Sequence, residues 1–200
     1  MIKLLFRIVL PIIMIIISGS CATFPESSNK QHLINKENVQ SLNGIYSLTE
    51  ISRSSLVDSS SFAFSETDLG FKHTFYDELS RGMFSRRMVM DSLKVYHFVL
   101  NVLNDTTIEI DYLENGISFI KKQVSYKLKD DGYAYLKNGN FKIRGIPYLF
   151  GSIDVKKIRL TLNNEQDLLF ETSEFSSGGV ALLMVYPIGK MKYQKIYQRK

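Results

Sequence analysis

The stretch TTIEIDYLENGISFIKKQVSYKLKDDGYAYLKNGNFKIRG, residues 106–145, decides the fold. Apolar and polar residues alternate along it in short runs that are separated by ENG, DDG and NG. Alternation with a period of two is typical of strands that bury one face, and Asn-Gly pairs or short loops ending in Gly close β-hairpins. The sequence therefore predicts a series of antiparallel strands joined by tight turns.

Turn chemistry also predicts which residues face each other, since the turn fixes the register. Three-residue loops at 114–116 and 130–132 and a two-residue turn at Asn138-Gly139 agree on one inner face. The predicted pairs are Leu113 with Ile117, Ile110 with Ile120, Glu109 with Lys121, Leu128 with Ala134, Tyr126 with Leu136, Leu136 with Phe141, and Ala134 with Ile143. The predicted inner face holds Ile108, Ile110, Tyr112, Ile120, Val124, Tyr126, Leu128, Ala134, Leu136, Phe141 and Ile143. The predicted outer face holds Lys121, Ser125, Lys127, Lys129, Tyr133, Tyr135, Lys142 and Arg144.

Three further registers follow from the same reasoning. In a hairpin over residues 133–144, Tyr135 lies beside Lys142 and Tyr133 beside Arg144. A loop at 103–105 adds Tyr96, Phe98, Leu100 and Val102 to the inner face and sets His97 opposite Asp111. A change of phase at Lys156-Lys157 predicts a β-bulge.

Strand-like runs continue to the end of the chain, and we count about eight to ten strands after Asn43-Gly44. A long meander avoids exposed sheet edges most simply by closing on itself. We therefore predict an all-β domain over residues 43–200, an antiparallel meander barrel or strongly curled sheet, with a sandwich as the alternative. Phe75, Leu79 and Met83 have helical spacing, so a short helix is an option there.

The first twenty residues have the order of a secretory signal peptide. Lys3 and Arg7 precede an apolar run of about ten residues, and small residues follow at 18–20. The run is well short of the ~20 residues that a membrane-spanning helix needs. We predict a signal helix over residues 1–20, removed at Cys21, the only cysteine.

Small residues ending in Cys21 resemble the lipobox of bacterial lipoproteins. The resemblance implies that Cys21 is acylated and anchors the chain to a membrane, and that Ala22, because it is not Asp, directs it to the outer membrane of a Gram-negative bacterium. An ordinary signal peptide and an uncleaved anchor are the alternatives. Residues 21–42 are polar and lack periodicity, and we expect a flexible tether with a reach of roughly 25 Å.

A second resemblance rests on Asn43-Gly44-Ile45-Tyr46 at the start of the meander. It is similar to the opening of a lipocalin-type domain, in which a Gly-x-aromatic motif begins the first strand, and Arg199 is a loose match to the C-terminal arginine of that family. The resemblance implies a small apolar ligand inside the barrel.

Composition excludes several classes of function. Without Lys3 and Arg7 the net charge falls from +5 to +3, which is too mild and too evenly spread for a nucleic-acid partner. One cysteine allows no disulfide framework, and the three histidines are scattered. We predict no catalytic residue, no metal site, no cofactor and no enzymatic activity.

Lys122 is the one charge that the derived registers place on the inner face, opposite Ile108. A buried unpaired ammonium is costly, so the strand bulges, the side chain extends to water, or it meets the anionic head of a ligand together with Tyr112 and Tyr126. Two functions are therefore open. One is a lipid-anchored protein that binds an apolar ligand; the other is an envelope module that contacts other proteins through its surface.

Overall fold

The computed structural model describes residues 24, 33–56, 74–79, 88–138, 141–146, 150–180 and 184–200; for 141–146, 150–153, 177–180 and 184–188 it describes the backbone alone. The predicted signal helix, Cys21 and the predicted turn glycine Gly139 lie outside these residues.

The described chain is an all-β domain with one short α-helix and one 3-10 helix. The 3-10 helix is Val39–Leu42, and α1 is Phe75–Leu79. The strands are β1 Gly44–Ser47, β2 Ser52–Ser55, β3 Tyr96–Asn104, β4 Thr107–Glu114, β5 Ile117–Leu128, β6 Ala134–Leu136, β7 Phe141–Ile146, β8 Phe150–Leu162, β9 Leu168–Val180 and β10 Met184–Tyr197.

These strands form one curled antiparallel sheet, as predicted, and not a sandwich of two sheets. Its order is β1-β3-β4-β5-β6-β8-β9-β10-β2, and β7 also pairs with β8. The two ends of the sheet meet, because the Ser47 amide donates to the Gln198 carbonyl at 2.8 Å and the Lys200 amide to the Ile45 carbonyl at 2.9 Å. The concave side of the curl holds the core.

The predicted inner face is confirmed wherever its side chains are described, except at Ile120, which is 37% exposed. Leu128 and Tyr96 are partly buried and pack against the core. The buried members are Ile108, Ile110, Tyr112, Val124, Tyr126, Ala134, Leu136, Phe98, Leu100 and Val102.

The pairings within the first hairpins differ from those predicted, although the faces are the same. Asn115 and Gly116 have φ of 50° and 81° and form a two-residue turn, so Glu114 pairs with Ile117. A register shift follows, after which Tyr112 pairs with Ile120 and Ile110 with Lys122. Each change moves the register by one residue, and together they leave every side chain on its predicted face.

The β3–β4 hairpin is corrected in the same way. Asn104 pairs with Thr107, so the turn is shorter than the predicted loop at 103–105. His97 therefore pairs with Leu113 rather than with Asp111.

The turn at 130–132 is confirmed, with Leu128 opposite Ala134 and Tyr126 opposite Leu136. The hairpin over residues 133–144 is wrong, because β6 pairs with β8 through Leu136 and Ile158, and β7 pairs with another part of β8. Lys129 and Arg159 take the places predicted for Lys142 and Arg144, since their cationic groups lie 3.8 Å from the ring centre of Tyr135 and 3.9 Å from that of Tyr133.

The bulge predicted at Lys156-Lys157 is also wrong. The pairing of β8 with β9 runs without a shift from Phe150–Val180 to Leu162–Leu168. With strict alternation, Lys156 shares the inner face with Ile158 and Leu160. This places a charged residue inside the curl.

Part of the predicted tether belongs to the folded domain. Ile34, Val39 and Leu42 are all buried in the core. The Ile34 amide donates to the Gly132 carbonyl at 3.2 Å, which attaches this segment to the β5–β6 turn. The compact part of the chain therefore begins near residue 33.

Candidate functional site

Helix α1 lies on the concave side of the sheet. Thr74 and Asp77 start it with reciprocal bonds, in which the Asp77 amide donates to Thr74 Oγ1 at 3.1 Å and the Thr74 amide to Asp77 Oδ2 at 3.0 Å. The ring of Phe75 is fully buried and stacks on Phe98 with 4.0 Å between centroids. Aromatic packing thus fixes the helix inside the curl.

Phe75 joins two parts of the sheet that are distant in sequence. Its ring meets Tyr197 edge-on at 5.2 Å and Phe170 at 5.6 Å. Tyr46 stacks on Phe98, the ring that also stacks on Phe75, with 5.5 Å between the centroids. This aromatic group fills the interior between β1, β3, β9 and β10.

Next to the aromatic group lies a buried cluster of charges that we call the Glu78 network, formed by Glu78, Lys156, Lys195, Tyr193 and Glu174. Glu78 on α1 accepts from three donors: Lys195 Nζ at 2.8 Å, Lys156 Nζ at 3.1 Å and the Tyr193 hydroxyl at 2.7 Å. Lys195 is fully buried, and Glu78 is 6% exposed. The network therefore joins α1 to β8 and β10 in the interior.

Two further carboxylates of the described residues contact these lysines, so that three carboxylates surround two ammonium groups. Lys156 Nζ lies 2.7 Å from Glu174 on β9, and Lys195 Nζ lies 3.3 Å from Glu50. The Tyr193 hydroxyl also contacts Glu174 at 3.2 Å. Both ammonium groups thus have two carboxylate partners.

The pKa values follow from this arrangement. Burial alone would raise the pKa of Glu78, but Lys156 and Lys195 outweigh it and lower the pKa to about 2. Burial lowers the pKa of Lys156, yet Glu78 and Glu174 bring it above its usual value. Burial, with Glu78 beside it, raises the pKa of Tyr193 well above its usual value. At neutral pH Glu78 is ionised and Tyr193 is protonated. The network is therefore suited to holding α1 in place rather than to transferring protons.

The signal for this network was present in the sequence. Lys156 is in phase with Ile158 and Leu160, and Lys195 lies between Tyr193 and Tyr197 at alternate positions. The bulge predicted at Lys156-Lys157 would have turned Lys156 outward, and the predicted registers do not extend to Lys195. Glu78 had no such signal, because its partners lie 78 and 115 residues further along the chain.

Lys122, the predicted ligand contact, lies on the inner face of β5 and is half-buried. Its Nζ donates to the Leu79 carbonyl at 3.3 Å, and Asn138 Nδ2 donates to the same oxygen at 2.5 Å. Leu79 is the last residue of α1, so both side chains satisfy a carbonyl that the helix leaves open. Burial lowers the pKa of Lys122.

The two predicted partner tyrosines lie at different distances along the sheet. Tyr112, on β4, pairs with Ile120, and Lys122 pairs with Ile110. Tyr112 and Lys122 therefore belong to successive cross-strand pairs on the same face. The Tyr112 hydroxyl is buried and has no hydrogen-bond partner in the described part of the protein. Tyr126 is four residues along β5, and its hydroxyl donates to the Asn104 carbonyl at 3.1 Å. The structure thus places Tyr112, and not Tyr126, beside Lys122.

A separate small cavity lies at the other end of the curl. It has a volume of about 190 Å³ and is lined by Leu33, Ile34, Asn38, Ser41, Leu162 and Gln166. Small-molecule sites are usually about 300–1,000 Å³. This cavity is therefore below the size expected for a ligand pocket.

Within the residues that the structure describes, no three His, Cys, Asp or Glu side chains are grouped to hold a metal ion. In the same residues no helix is long and apolar enough to cross a membrane.

Comparisons with known proteins give no relative. Neither a family model, nor a curated protein, nor a solved structure matches the chain.

Proposed function

We propose that this protein is a lipid-anchored cell-envelope protein whose β-domain acts through its outer surface, as a structural or protein-interaction module and not as an enzyme. One observation carries the choice of the surface over the interior. Helix α1 occupies the concave side of the sheet, where Phe75 is fully buried and Glu78 is bound by both lysines. Side chains of α1 and of the strands around it thus occupy the concave side of the described sheet.

The anchor part of the proposal rests on the sequence of residues 1–22. Acylation of Cys21 would add about 0.8 kcal/mol of membrane affinity for each buried CH₂, and two or more chains hold a protein stably. With Ala22 after the cysteine, the proposed location is the outer membrane of a Gram-negative bacterium.

The anchor is tested by metabolic labelling with a palmitate analogue in a Gram-negative host. We expect the wild type to be labelled and to sediment with membranes, and Cys21→Ala to lose the label and to be unanchored or unprocessed, because its side chain cannot form a thioether. Ser20→Ala is the matched control, since it keeps a small residue before the cysteine, and it should stay labelled. Absence of label in the wild type would contradict the lipoprotein proposal.

A ligand-binding function is the second candidate, and the buried hydroxyl of Tyr112 favours it. This hydroxyl has no partner among the described residues, and Lys122 lies one pair away. Phe119 and Ile120, 41% and 37% exposed, provide apolar surface nearby on β5. Together these groups suit an amphiphile with an anionic head, such as a fatty acid.

Displacement of a fluorescent fatty acid from the processed protein tests this candidate. If Lys122 meets the head group, Lys122→Met weakens binding, whereas Lys121→Met, one residue away on the outer face, does not. Equal binding by both variants, or none by the wild type, would remove Lys122 as a ligand contact. The function of the outer surface would then be the only one of the two candidates left. Thermal melts of both variants check that α1 remains in place.

The lipocalin-type relationship is also a proposal, supported by the two residues that carry it. The Arg199 guanidinium lies 5.7 Å from the ring centre of Tyr46, and a Cβ on Gly44 would come within 2.9 Å of Arg199 Nε. The opening motif and the C-terminal arginine thus form one contact.

A further inference from the structure

The inference concerns the outer surface of β5, β6 and β8, and it begins with Phe24. The Arg159 guanidinium lies 4.3 Å from the ring centre of Phe24, and Tyr135 meets the same ring edge-on at 5.7 Å. Tyr135 and Arg159 are paired neighbours on β6 and β8. The side chain of Phe24 is therefore seated on the convex side of the sheet.

Arg159, one of the residues that contact Phe24, is held in place by residues of the sheet. Arg159 is buried on the sheet, where its guanidinium lies 2.6 Å from Glu171 Oε2 and 3.9 Å from the ring centre of Tyr133. Tyr133 donates to the other carboxylate oxygen of Glu171 at 3.2 Å. A cation held in this way between two rings is a fixed platform and not a mobile surface side chain.

A second point of the same N-terminal segment attaches close by. Ile34 bonds to the Gly132 carbonyl, and Gly132 lies two residues before the start of β6. Residues 24 and 34 thus both contact the chain around the β5–β6 turn.

The position of Phe24 limits where an anchor at Cys21 can be. Three residues span at most about 11 Å, whatever their conformation. The attachment point of a lipid on Cys21 would therefore lie within about 11 Å of Phe24, on this side of the sheet. A freely flexible tether would have allowed roughly 25 Å in any direction.

The same surface is basic. Lys127, Lys129 and Lys137 are exposed, and Lys157 is half-buried on the outer side of β8. No acidic side chain in the described residues forms an ion pair with Lys127, Lys137 or Lys157. By contrast, the neighbouring strands β3 and β4 contain no lysine or arginine, and the outer side of β4 carries Glu109 and Asp111. We call the outer surface of β5, β6 and β8, with these four lysines, the basic face; the charge of Arg159 is neutralised there by Glu171 and Asp131.

We propose that the basic face lies against anionic lipid headgroups, with Phe24 fixing the anchored end of the chain to it. This inference rests on the proposed lipid anchor at Cys21. Lysines near an anionic membrane surface strengthen binding to it, and a lipid anchor combined with a polybasic surface holds a protein more firmly than the anchor alone. The domain is held flat on the membrane by this face rather than suspended at the end of a tether.

Site-specific spin labels on the full processed protein test this orientation. Acylated Cys21 does not react with a thiol reagent, so one added cysteine carries the only label. Ser125→Cys lies on the basic face, and Ser54→Cys lies on β2, four strands from β6 in the sheet order. Both serines are exposed on outer surfaces, and neither substitution changes the charge.

The proteins are placed in vesicles of phosphatidylethanolamine and phosphatidylglycerol that contain a nickel-chelating lipid, which relaxes nearby nitroxides. We expect stronger relaxation at Ser125→Cys than at Ser54→Cys, and loss of this difference with the added variant Phe24→Ala but not with Phe24→Tyr, which keeps the ring. Lys127→Gln combined with Lys157→Gln, or vesicles of phosphatidylcholine, should reduce the relaxation at Ser125→Cys.

Each arm of the experiment has a contrary result. Equal relaxation at the two labels would overturn the orientation, and a difference that is the same in phosphatidylcholine would overturn recognition of anionic headgroups. A protein that is not acylated and does not join the vesicles would instead contradict the proposed anchor, so the two failures are distinguishable.

Discussion

The carboxylate of Glu78 accepts hydrogen bonds from two lysines and a tyrosine. Removing one member of a buried ion pair leaves the others desolvated without a partner, which costs more than the pair itself contributes. In this protein the two ammonium groups come from β8 and β10, and of the three carboxylates in the described chain that pair with them, Glu78, Glu174 and Glu50, only Glu78 contacts both. Glu78 therefore adds to the aromatic packing of Phe75 in holding α1 inside the sheet.

We expect Glu78→Gln to lower the free energy of unfolding by about 3–5 kcal/mol, because the amide keeps the shape but removes the charge. The measurement is urea unfolding at neutral pH. Folding depresses the pKa of Glu78 from 4.5 to about 2, so its contribution is present above pH 4.5 and is lost as the pH falls towards 2. The difference between the wild type and the variant should shrink over that interval.

Glu114→Gln is the matched control for this substitution. Glu114 pairs with Lys94 at 2.5 Å, but both side chains are more than a third exposed, at 35% and 39%. Exposed pairs contribute about 0–1 kcal/mol, so this variant should remain close to the wild type. A loss as small in Glu78→Gln would show that the network does not stabilise the fold.

At the scale of elements, turn chemistry predicted the face that each strand presents, and it predicted the partner strand in the hairpins β3–β4, β4–β5 and β5–β6 but not for β6 and β7. A side chain keeps its face when the register moves by an even number of residues. The two one-residue changes around Asn115 and Phe119 add up to two, so the predicted faces are preserved. β6 has only three residues, and its partner β8 lies more than twenty residues along the chain, so local turn chemistry at Asn138 indicated the wrong neighbour. The Glu78 network was missed for the same reason, since it depends on pairings that are distant in sequence.

The β5–β6 turn offers a test of one such distant contact. Gly132 and Gly116 have nearly equal φ, 82° and 81°, so an alanine at either position carries similar backbone strain. A Cβ at Gly132 would meet the Cα of Leu33 at 2.8 Å, whereas Gly116 has open space around it.

We therefore expect Gly116→Ala to lower the free energy of unfolding by about 1–2 kcal/mol, the usual cost of a left-handed conformation, and Gly132→Ala to lower it further. The extra loss measures the displacement of Leu33 and is read from urea unfolding of both variants. Equal losses would mean that residues 33–34 do not pack on this turn.

At the scale of the whole molecule, Arg199 joins the ends of the sheet. Its guanidinium donates to the carbonyls of Ser41 and Asn43, and its amide donates to Asp167 Oδ1 at 2.8 Å. Tyr46 is fully buried beneath it. Through its side chain and its backbone amide, Arg199 thus connects the 3-10 helix and β1 with the loop between β8 and β9.

We expect Arg199→Ala to lower the free energy of unfolding by about 1.5–3 kcal/mol, the usual range for hydrogen bonds to a charged group. It should also speed hydrogen exchange at the Ser47 amide, which bonds to Gln198. Lys200→Ala is the control, because among the described residues its exposed ammonium contacts only Gln198, and its loss should have little effect. Unchanged exchange at Ser47 in Arg199→Ala would show that closure does not depend on the arginine.

The meeting of β1 with residues 198–200 also bears on how the chain reaches its folded state. Ser47 and Gln198 are 151 residues apart, and bringing the ends of such a loop together costs about 4 kcal/mol in chain entropy. Non-local pairing of this kind slows folding, since the cost precedes the contacts that offset it. β1 therefore has no partner on that side until residues 198–200 have been synthesised.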